Sequence, residues 1–317
     1  MNTIADSSKI IDGRLFSQEY LEKVLLPRCS IFTEMYKKIP KLSTILVGTN
    51  PASESYIKLK ERFFSKLCVE SEVFRLPRDI SQKELLDFIE NQNSDESVDG
   101  ILVQMPLPSQ IDTDAIVESI APSKDVEGLS PENVYAWAKA LPNLVPATAL
   151  GVLALLKYYQ IPLEGKHAVV VGRSMIVGKP MSHLLLKENA TVTICHSRTK
   201  NLEEHTRKAD ILIAAVGSPH LIRKGMIKEN AVIIDVGVNF ENGKLIGDVD
   251  FDDLKETASY ISPVPGGSGP ATVCMLASNL LMAFELEQAK ADNERLDCLK
   301  EYYANYNTIG ETGFCID

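Results

Sequence analysis

A lysine among aromatics is the first residue here that could do chemistry. In "SYIKLKERFFSKL" (55–67), Tyr56, Lys60, Phe63, Phe64 and Leu67 recur at i, i+3 and i+4 intervals and share one side of a helix. Lys58, Arg62, Ser65 and Lys66 make the opposite, polar side. A lysine beside apolar rings either snorkels to water or is partly desolvated, and desolvation lowers its pKa toward acid–base work. Tyr56, one turn earlier, offers a flat face for a ring. Gln104 ends the apolar run "GILVQMP", and Asp125 stands in the turn-rich "PSKDVEGLSPEN". Taken alone, these two read as an amide that ties down a loop and an Asp turn.

A second candidate is the glycine turn "HAVVVGRSMIVGKPMS" (167–182). It is not a nucleoside-triphosphatase loop. Five residues separate Gly172 from Gly178, and Pro180 stands where a magnesium-binding Ser or Thr is needed. The dinucleotide fingerprint is also incomplete, because Ser174 occupies the place of the middle glycine. A third candidate, "SPVPGGSGPATV" (262–273), combines prolines and glycines just before a helical pattern. It reads as a rigid, closely approaching loop or a tight connection.

The elements that position these residues alternate. Strand 42–48, helix 53–67, strand 71–77, a helix over 81–92 capped by Ser81 with Glu84 three residues on, and strand 98–108 form a βαβαβ series. A second series follows: a helix capped by Thr148, strand 167–172, a helix from about Gly178, and strands 190–196, 210–217 and 231–237. The fold class is α/β, with two doubly wound units joined near 145–150. A helix over 271–288 returns to the first. The domain expectation is 1–147, then 148–270, then an extension over 289–317 that reads as a charged helix and a disordered end.

That order gives the glycine turn its meaning. Gly172 ends the first strand of the second unit and opens its first helix, where parallel sheets bind ligands and a helix N-terminus favours phosphate. An NAD site places an acid roughly 20 residues past the first glycine. Here that place reads "CHSRT" (195–199), with no acid. Arg173, Ser197 and Arg198 suit a 2′-phosphate, so NADP is favoured over NAD.

Composition narrows the class. A net charge of −10 argues against wrapping nucleic acid. No apolar run approaches membrane-spanning length, and "MNTIADSSKIIDG" lacks the apolar core of a signal peptide. The six cysteines (29, 68, 195, 274, 298 and 315) form no metal-ligand pair, so no metal is expected. Reduced thiols in a cytoplasmic protein are the default.

The motifs "YIKLK", "DGILVQMPLP", "KDVEG", "VVVGRSMIVGKP", "TICHSRT", "IIDVGVN", "GDVDF" and "PVPGGSGPAT" together resemble the methylenetetrahydrofolate dehydrogenase/methenyltetrahydrofolate cyclohydrolase family, from "KIIDG" to about Glu287. The resemblance implies a folate-binding catalytic domain, a Rossmann-like NADP domain, a cleft between them, and a homodimer joined through the cofactor domains. It implies NADP-dependent oxidation of 5,10-methylenetetrahydrofolate and hydrolysis of the methenyl product to 10-formyltetrahydrofolate, within one-carbon metabolism and purine biosynthesis. Lys60 is then the catalytic lysine, Tyr56 stacks on folate, Gln104 tunes Lys60 and Asp125 holds the pterin. Val103, Met105, Pro265, Gly266, Gly267, Ser268 and Gly269 join the substrate side. Thr148, Gly172, Arg173, Ser174, Ile176, Val177, Ser197, Arg198 and Val238 join the cofactor side. The family usually carries "PCTP" where this chain has "PATA", and "PGGVGPMT" where it has "PGGSGPAT". Ala147, Ala149, Ser268 and Ala271 are therefore departures. Two other readings are a dehydrogenase with weak or lost cyclohydrolase activity and a non-catalytic folate- or nucleotide-binding homologue. A binder has no need of a tuned lysine.

Overall fold

The computed structural model describes residues 9–299, apart from 50, 140, 142, 242, 292–294 and 296. Cys315 and most of the 289–317 extension lie outside them. The chain forms two units, one of Glu19–Ala147 with 273–299 and the other of 9–18 with Thr148–Thr272.

The chain starts with α1 (Gly13–Tyr20), which passes through a five-residue π-helical stretch into α2 (Leu26–Tyr36). Its buried residues Phe16, Leu21, Leu25, Cys29 and Phe32 follow at three- to five-residue steps, a periodicity that marks this segment as helical. Then come β1 (Lys41–Val47), α3 (Pro51–Phe64), β2 (Glu70–Leu76), α4 (Gln82–Ser94) and β3 (Gly100–Val103). The strands pair in parallel in the order β2-β1-β3, with Ile45 beside both Phe74 and Val103. β1 and β3 are almost wholly buried, as strands covered on both faces must be. Ser81 and Glu84 close the capping box at the start of α4. The strand expected over 98–108 stops at Val103, because Pro106 and Pro108 bring no N–H to the ladder.

Two short helices follow, α5 (Thr113–Ser119), capped by Asp112, and α6 (Pro131–Ala138). The second unit then runs α7 (Ala147–Tyr158), β4 (His167–Val171), α8 (Gly178–Lys187), β5 (Thr191–Cys195), α9 (Leu202–Thr206), β6 (Ile211–Ala214) and β7 (Val232–Asp235). A hairpin of β8 (Asn239–Glu241) and β9 (Lys244–Ile246), α10 (Phe251–Leu254) and β10 (Tyr260–Ile261) complete it. All five sheet strands are parallel, in the order β10-β7-β6-β4-β5. The chain places β5 on one side of β4 and β6 on the other, so the topology switches at β4/β6. Thr148 lies inside the first turn of α7 rather than capping it, since that helix already starts at Ala147.

Residues 9–18 belong with the second unit, which differs from the 1–147 boundary expected from sequence. Ile10 bridges Ile261, the Ile11 N–H donates to the Ile261 carbonyl at 2.9 Å, and the Asp12 N–H donates to the Tyr159 hydroxyl at 2.8 Å. Sequence reading assigned this segment by its position in the chain, whereas the pairing partners lie far downstream.

The last long helix, α11 (Ser268–Gln288), starts three residues earlier than expected and absorbs Ser268 and Gly269 into its first turn. It is long and apolar enough to span a membrane by length and composition, yet most of it is buried in the fold. Its buried Asn279 shows why an amide is kept on such a surface. The side chain donates to the Val126 and Val145 carbonyls, both at 2.8 Å, and so satisfies two buried acceptors.

Candidate functional site

Helix α3 carries Lys60 into the interior of the first unit. Ile57, Lys60, Phe63 and Phe64 are buried, while Lys58, Glu61 and Arg62 are exposed, as the periodicity requires. Lys60 is 8 % exposed, and its Nζ donates to Gln104 Oε1 at 2.9 Å. Gln104 is held for this: its own Nε2 donates to the Met105 carbonyl at 3.0 Å, which turns the oxygen toward the lysine. Ser53 donates to the same carbonyl at 3.1 Å. Burial pushes the Lys60 ammonium below the ordinary lysine range, and nearby Glu127 partly opposes the shift. Tyr56 is half-buried, and burial raises its phenol.

Asp125 and Glu127 take different parts. The Asp125 carboxylate is 1 % exposed and accepts from the Ser130 N–H at 2.6 Å and from Asn133 Nδ2 at 2.9 Å. It therefore builds the turn into α6. The acid that interacts with Lys60 is Glu127, whose carboxyl burial pushes up and Lys60 pulls down. Glu127 lies next to Val126, whose carbonyl Asn279 holds. Val103, Met105, Asp125 and Glu127 line one small recess. Sequence reading passed over Glu127, although "KDVEG" contains two acids. One of them fits a turn position, which leaves the other free for chemistry.

The glycine turn of the second unit is packed so tightly that side chains cannot enter it. Gly172 has φ +133°, and a Cβ there would lie 2.3 Å from the Ala215 carbonyl oxygen, across the β4/β6 switch. A Cβ at Gly178 would lie 2.3 Å from the Gly172 carbonyl oxygen. These are two of the three jobs that glycines perform in dinucleotide turns. The Ser174 hydroxyl accepts from the Val177 and Gly178 N–H groups at 3.1 and 3.4 Å, which caps the start of α8. Met175 and Ile176 are exposed and Val177 is half-buried.

Arg173 and Ser197 each stand two residues beyond a paired position, Val171 and Cys195, at the carboxyl ends of neighbouring strands. The Gly172 N–H donates to the Cys195 carbonyl at 2.8 Å. Arg173, Ser197 and Arg198 are all exposed there. The turn after β5 is set by two bonds: the His196 N–H donates to Thr199 Oγ1 at 2.9 Å, and the Arg198 N–H donates to His196 Nδ1 at 3.1 Å. Val238 lies half-buried after β7. A side-chain-free cradle with two exposed guanidinium groups fits a phosphorylated dinucleotide.

The Pro265–Gly269 segment leaves β10 in the same unit. It is tied to the chain start, where the Gly13 N–H donates to the Gly266 carbonyl at 2.8 Å and a Cβ on Gly13 would lie 1.8 Å from the Gly267 carbonyl oxygen. Ser268 gains a definite role. Its hydroxyl donates to the Asp235 carbonyl at 2.9 Å, a bond that the usual valine could not make. Ala147, Ala149 and Ala271 are buried and bring no polar group. The structure thus brings Lys60 and Gln104 together in one unit, with Glu127 acting on Lys60 through its charge. In the other it gathers Gly172, Arg173, Ser174, Ser197 and Arg198 at the carboxyl ends of β4 and β5. Among the described residues there is no metal-binding cluster of His, Cys, Asp or Glu.

Known proteins share this organisation. The bifunctional protein FolD of Oceanobacillus iheyensis is 50 % identical over 277 residues, which is 86 % of this chain and 96 % of the relative. The crystal structure of the bifunctional methylenetetrahydrofolate dehydrogenase/cyclohydrolase FolD from Campylobacter jejuni is 45 % identical, with a TM-score of 0.82 over 86 % of this chain and 97 % of that one. The Trypanosoma brucei methylenetetrahydrofolate dehydrogenase-cyclohydrolase, solved with NADP cofactor and inhibitor, is 37 % identical, with a TM-score of 0.84 over 88 % of this chain and 98 % of that one. The family model for the tetrahydrofolate dehydrogenase/cyclohydrolase catalytic domain matches residues 11–127, and the model for its NAD(P)-binding domain matches 146–288. With both domains present, one bearing the buried lysine and the other the glycine cradle, the chain belongs to the bifunctional tetrahydrofolate dehydrogenase/cyclohydrolase family.

Proposed function

We propose that the protein oxidises 5,10-methylenetetrahydrofolate to the methenyl compound with NADP and hydrolyses that product to 10-formyltetrahydrofolate, using Lys60 as the base. The observation that carries this reading is the buried Lys60 Nζ bonded to Gln104 Oε1. NADP held at the Gly172 turn with Arg173, Ser197 and Arg198 would supply an acceptor for the hydride that the methylene carbon gives up. The protein's own part in that step is to hold the two reactants in line, with Tyr56 offering a ring face to the folate.

Hydrolysis is where side chains act. Water adds to the methenyl carbon, and one of its protons passes to neutral Lys60 Nζ. The bond from that carbon to N5 then breaks as the hydroxyl becomes the formyl carbonyl; Lys60 returns its proton to N5, and the hydroxyl proton is released to solvent. Burial supports the neutral form of Lys60, while Glu127 supports reprotonation. Gln104 keeps the amine in place. Asp125 acts in this reading by shaping the turn that presents Glu127.

The cofactor reading rests on Arg173, Ser197 and Arg198 and on the missing acid after β5. The Trypanosoma relative was solved with NADP, which points the same way. Arg173→Ala is expected to raise the NADP KM about tenfold or more, as loss of a charge-assisted bond to phosphate should, and to change the NAD KM little. The wider test is a spectrophotometric assay of the purified protein with methylenetetrahydrofolate and each cofactor, followed by methenyl hydrolysis. Equal or better efficiency with NAD overturns the cofactor reading, and absence of both activities overturns the whole.

We further propose a homodimer through the cofactor domains, located in the cytoplasm. Among the described residues, strand β5 is a sheet edge, paired only with β4, and exposes Ile194; the neighbouring α8 exposes Leu186. An apolar, uncovered edge favours pairing with a second copy. Cys29, Cys68, Cys195, Cys274 and Cys298 are free thiols, in keeping with a reducing compartment. Ile194→Glu is expected to halve the mass measured by light scattering. An unchanged dimer moves the interface elsewhere.

A further inference from the structure

Apart from Val238, the motifs "IIDVGVN" and "GDVDF" have no role in the reading above, yet they build a densely bonded polar cluster in the second unit. Asp248 is 0 % exposed. Its Oδ2 accepts from the Val216 and Gly217 N–H groups at 2.6 and 3.0 Å, and its Oδ1 accepts from the Ser218 N–H at 2.7 Å and from Asn239 Nδ2 at 3.0 Å. Asp235, also buried, is its neighbour. Asp235 Oδ1 accepts from the Gly237 N–H at 2.9 Å and the Asp248 N–H at 3.0 Å, and Oδ2 accepts from the Val249 N–H at 2.9 Å. Glycines make room for both carboxyls. A Cβ at Gly237 would lie 2.2 Å from Asp248 Oδ1, and one at Gly247 would lie 1.8 Å from Asp235 Oδ2.

These bonds join loops that come from different strands. Residues 215–218 leave the carboxyl end of β6, and 236–238 leave the carboxyl end of β7. The 247–249 turn follows the β8–β9 hairpin. Ala215 in turn abuts Gly172, whose missing side chain lets the two loops touch at the β4/β6 switch. The loops at the carboxyl ends of parallel strands are the ones that hold a dinucleotide. A buried carboxylate facing several backbone N–H groups fixes them far more firmly than neutral contacts would.

We infer that Asp248, seated on Asp235, is a positioning residue for the cofactor: it locks the loops after β6 and β7 into one surface against which NADP is held. This rests on the proposed NADP reaction. None of the cluster's hydrogen bonds involves Lys60, which belongs to the other unit, so its effect is expected in the step that needs the cofactor.

The test compares two activities in one preparation. In Asp248→Asn, an amide N–H is turned toward N–H donors, and at least one loop amide loses its acceptor. The expected result is an NADP KM raised about tenfold or more, while methenyl hydrolysis, which needs no cofactor, stays within about twofold of the parent. An unchanged NADP KM overturns the inference, and so does an equal fall in both activities in folded protein. If Asp248→Asn does not fold, Asn239→Ala removes one partner of the same carboxylate and decides the matter. A raised NADP KM with hydrolysis retained supports the inference, and no change in that KM overturns it. Absence of hydrolysis in the parent protein would instead contradict the proposed function.

Discussion

Lys60→Met is expected to abolish methenyl hydrolysis while folate and NADP still bind. Methionine keeps the length and apolar body of the side chain and removes only the amine. Loss of a general base costs about 10²–10⁴-fold. The parent pH profile carries the same information. Only neutral Lys60 accepts a proton, and burial holds its pKa below the ordinary lysine value of 10.5. Hydrolysis should therefore rise with pH and level off below that value. Glu127 opposes the shift, so Glu127→Gln should move the rising limb to lower pH. A Lys60→Met protein that hydrolyses at the parent rate, or a parent profile without a rising limb, would show that the base lies elsewhere.

The second large effect is expected at Gly178. Its Cβ would lie 2.3 Å from the Gly172 carbonyl oxygen and 2.7 Å from Arg173 Cα, both backbone atoms with no freedom to swing aside. Gly178→Ala must open the turn or shift α8 away from it. Overpacking of this kind costs about 1–3 kcal/mol, which corresponds to about 5- to 150-fold in cofactor affinity if the turn yields rather than the fold. The NADP-dependent rate should fall by about that factor at limiting NADP, whereas hydrolysis should persist. Tight NADP binding by Gly178→Ala, measured by isothermal titration, would mean that the cradle is not the phosphate site. Gly172→Ala should behave in the same way, with the further strain of φ +133°.

The relation between Asp125 and Glu127 shows how far spacing alone can be read. Both acids lie in one turn, and the resemblance pointed to Asp125. Asp125 lies on the chain just where the turn into α6 needs an acceptor, and the Ser130 N–H and Asn133 use it. Which acid meets a lysine on α3 depends on how that turn is laid against the sheet. Asn279, from a helix at the other end of the chain, takes part in that by holding the Val126 carbonyl.

By itself the sequence determined the local elements and their faces. Alternation of buried runs with helical periodicity fixed two parallel α/β units, the Ser81–Glu84 box fixed the start of α4, and the pattern around Lys60 fixed which side of α3 it shares with Phe63 and Phe64. These features are local because hydrogen-bond period and side-chain polarity act over a few residues. The glycine turn and the missing acid after β5 were legible for the same reason: they belong to one strand–turn–helix unit and the strand next to it. Tertiary structure alone decided which unit residues 9–18 join, that Ser268 bonds the Asp235 carbonyl, that Lys60 bonds Gln104, and that Asp248 gathers the loops after β6 and β7. Each of these joins groups far apart in sequence. A buried carboxylate or carbonyl takes whichever donor the packing brings to it, and no short-range pattern records that choice.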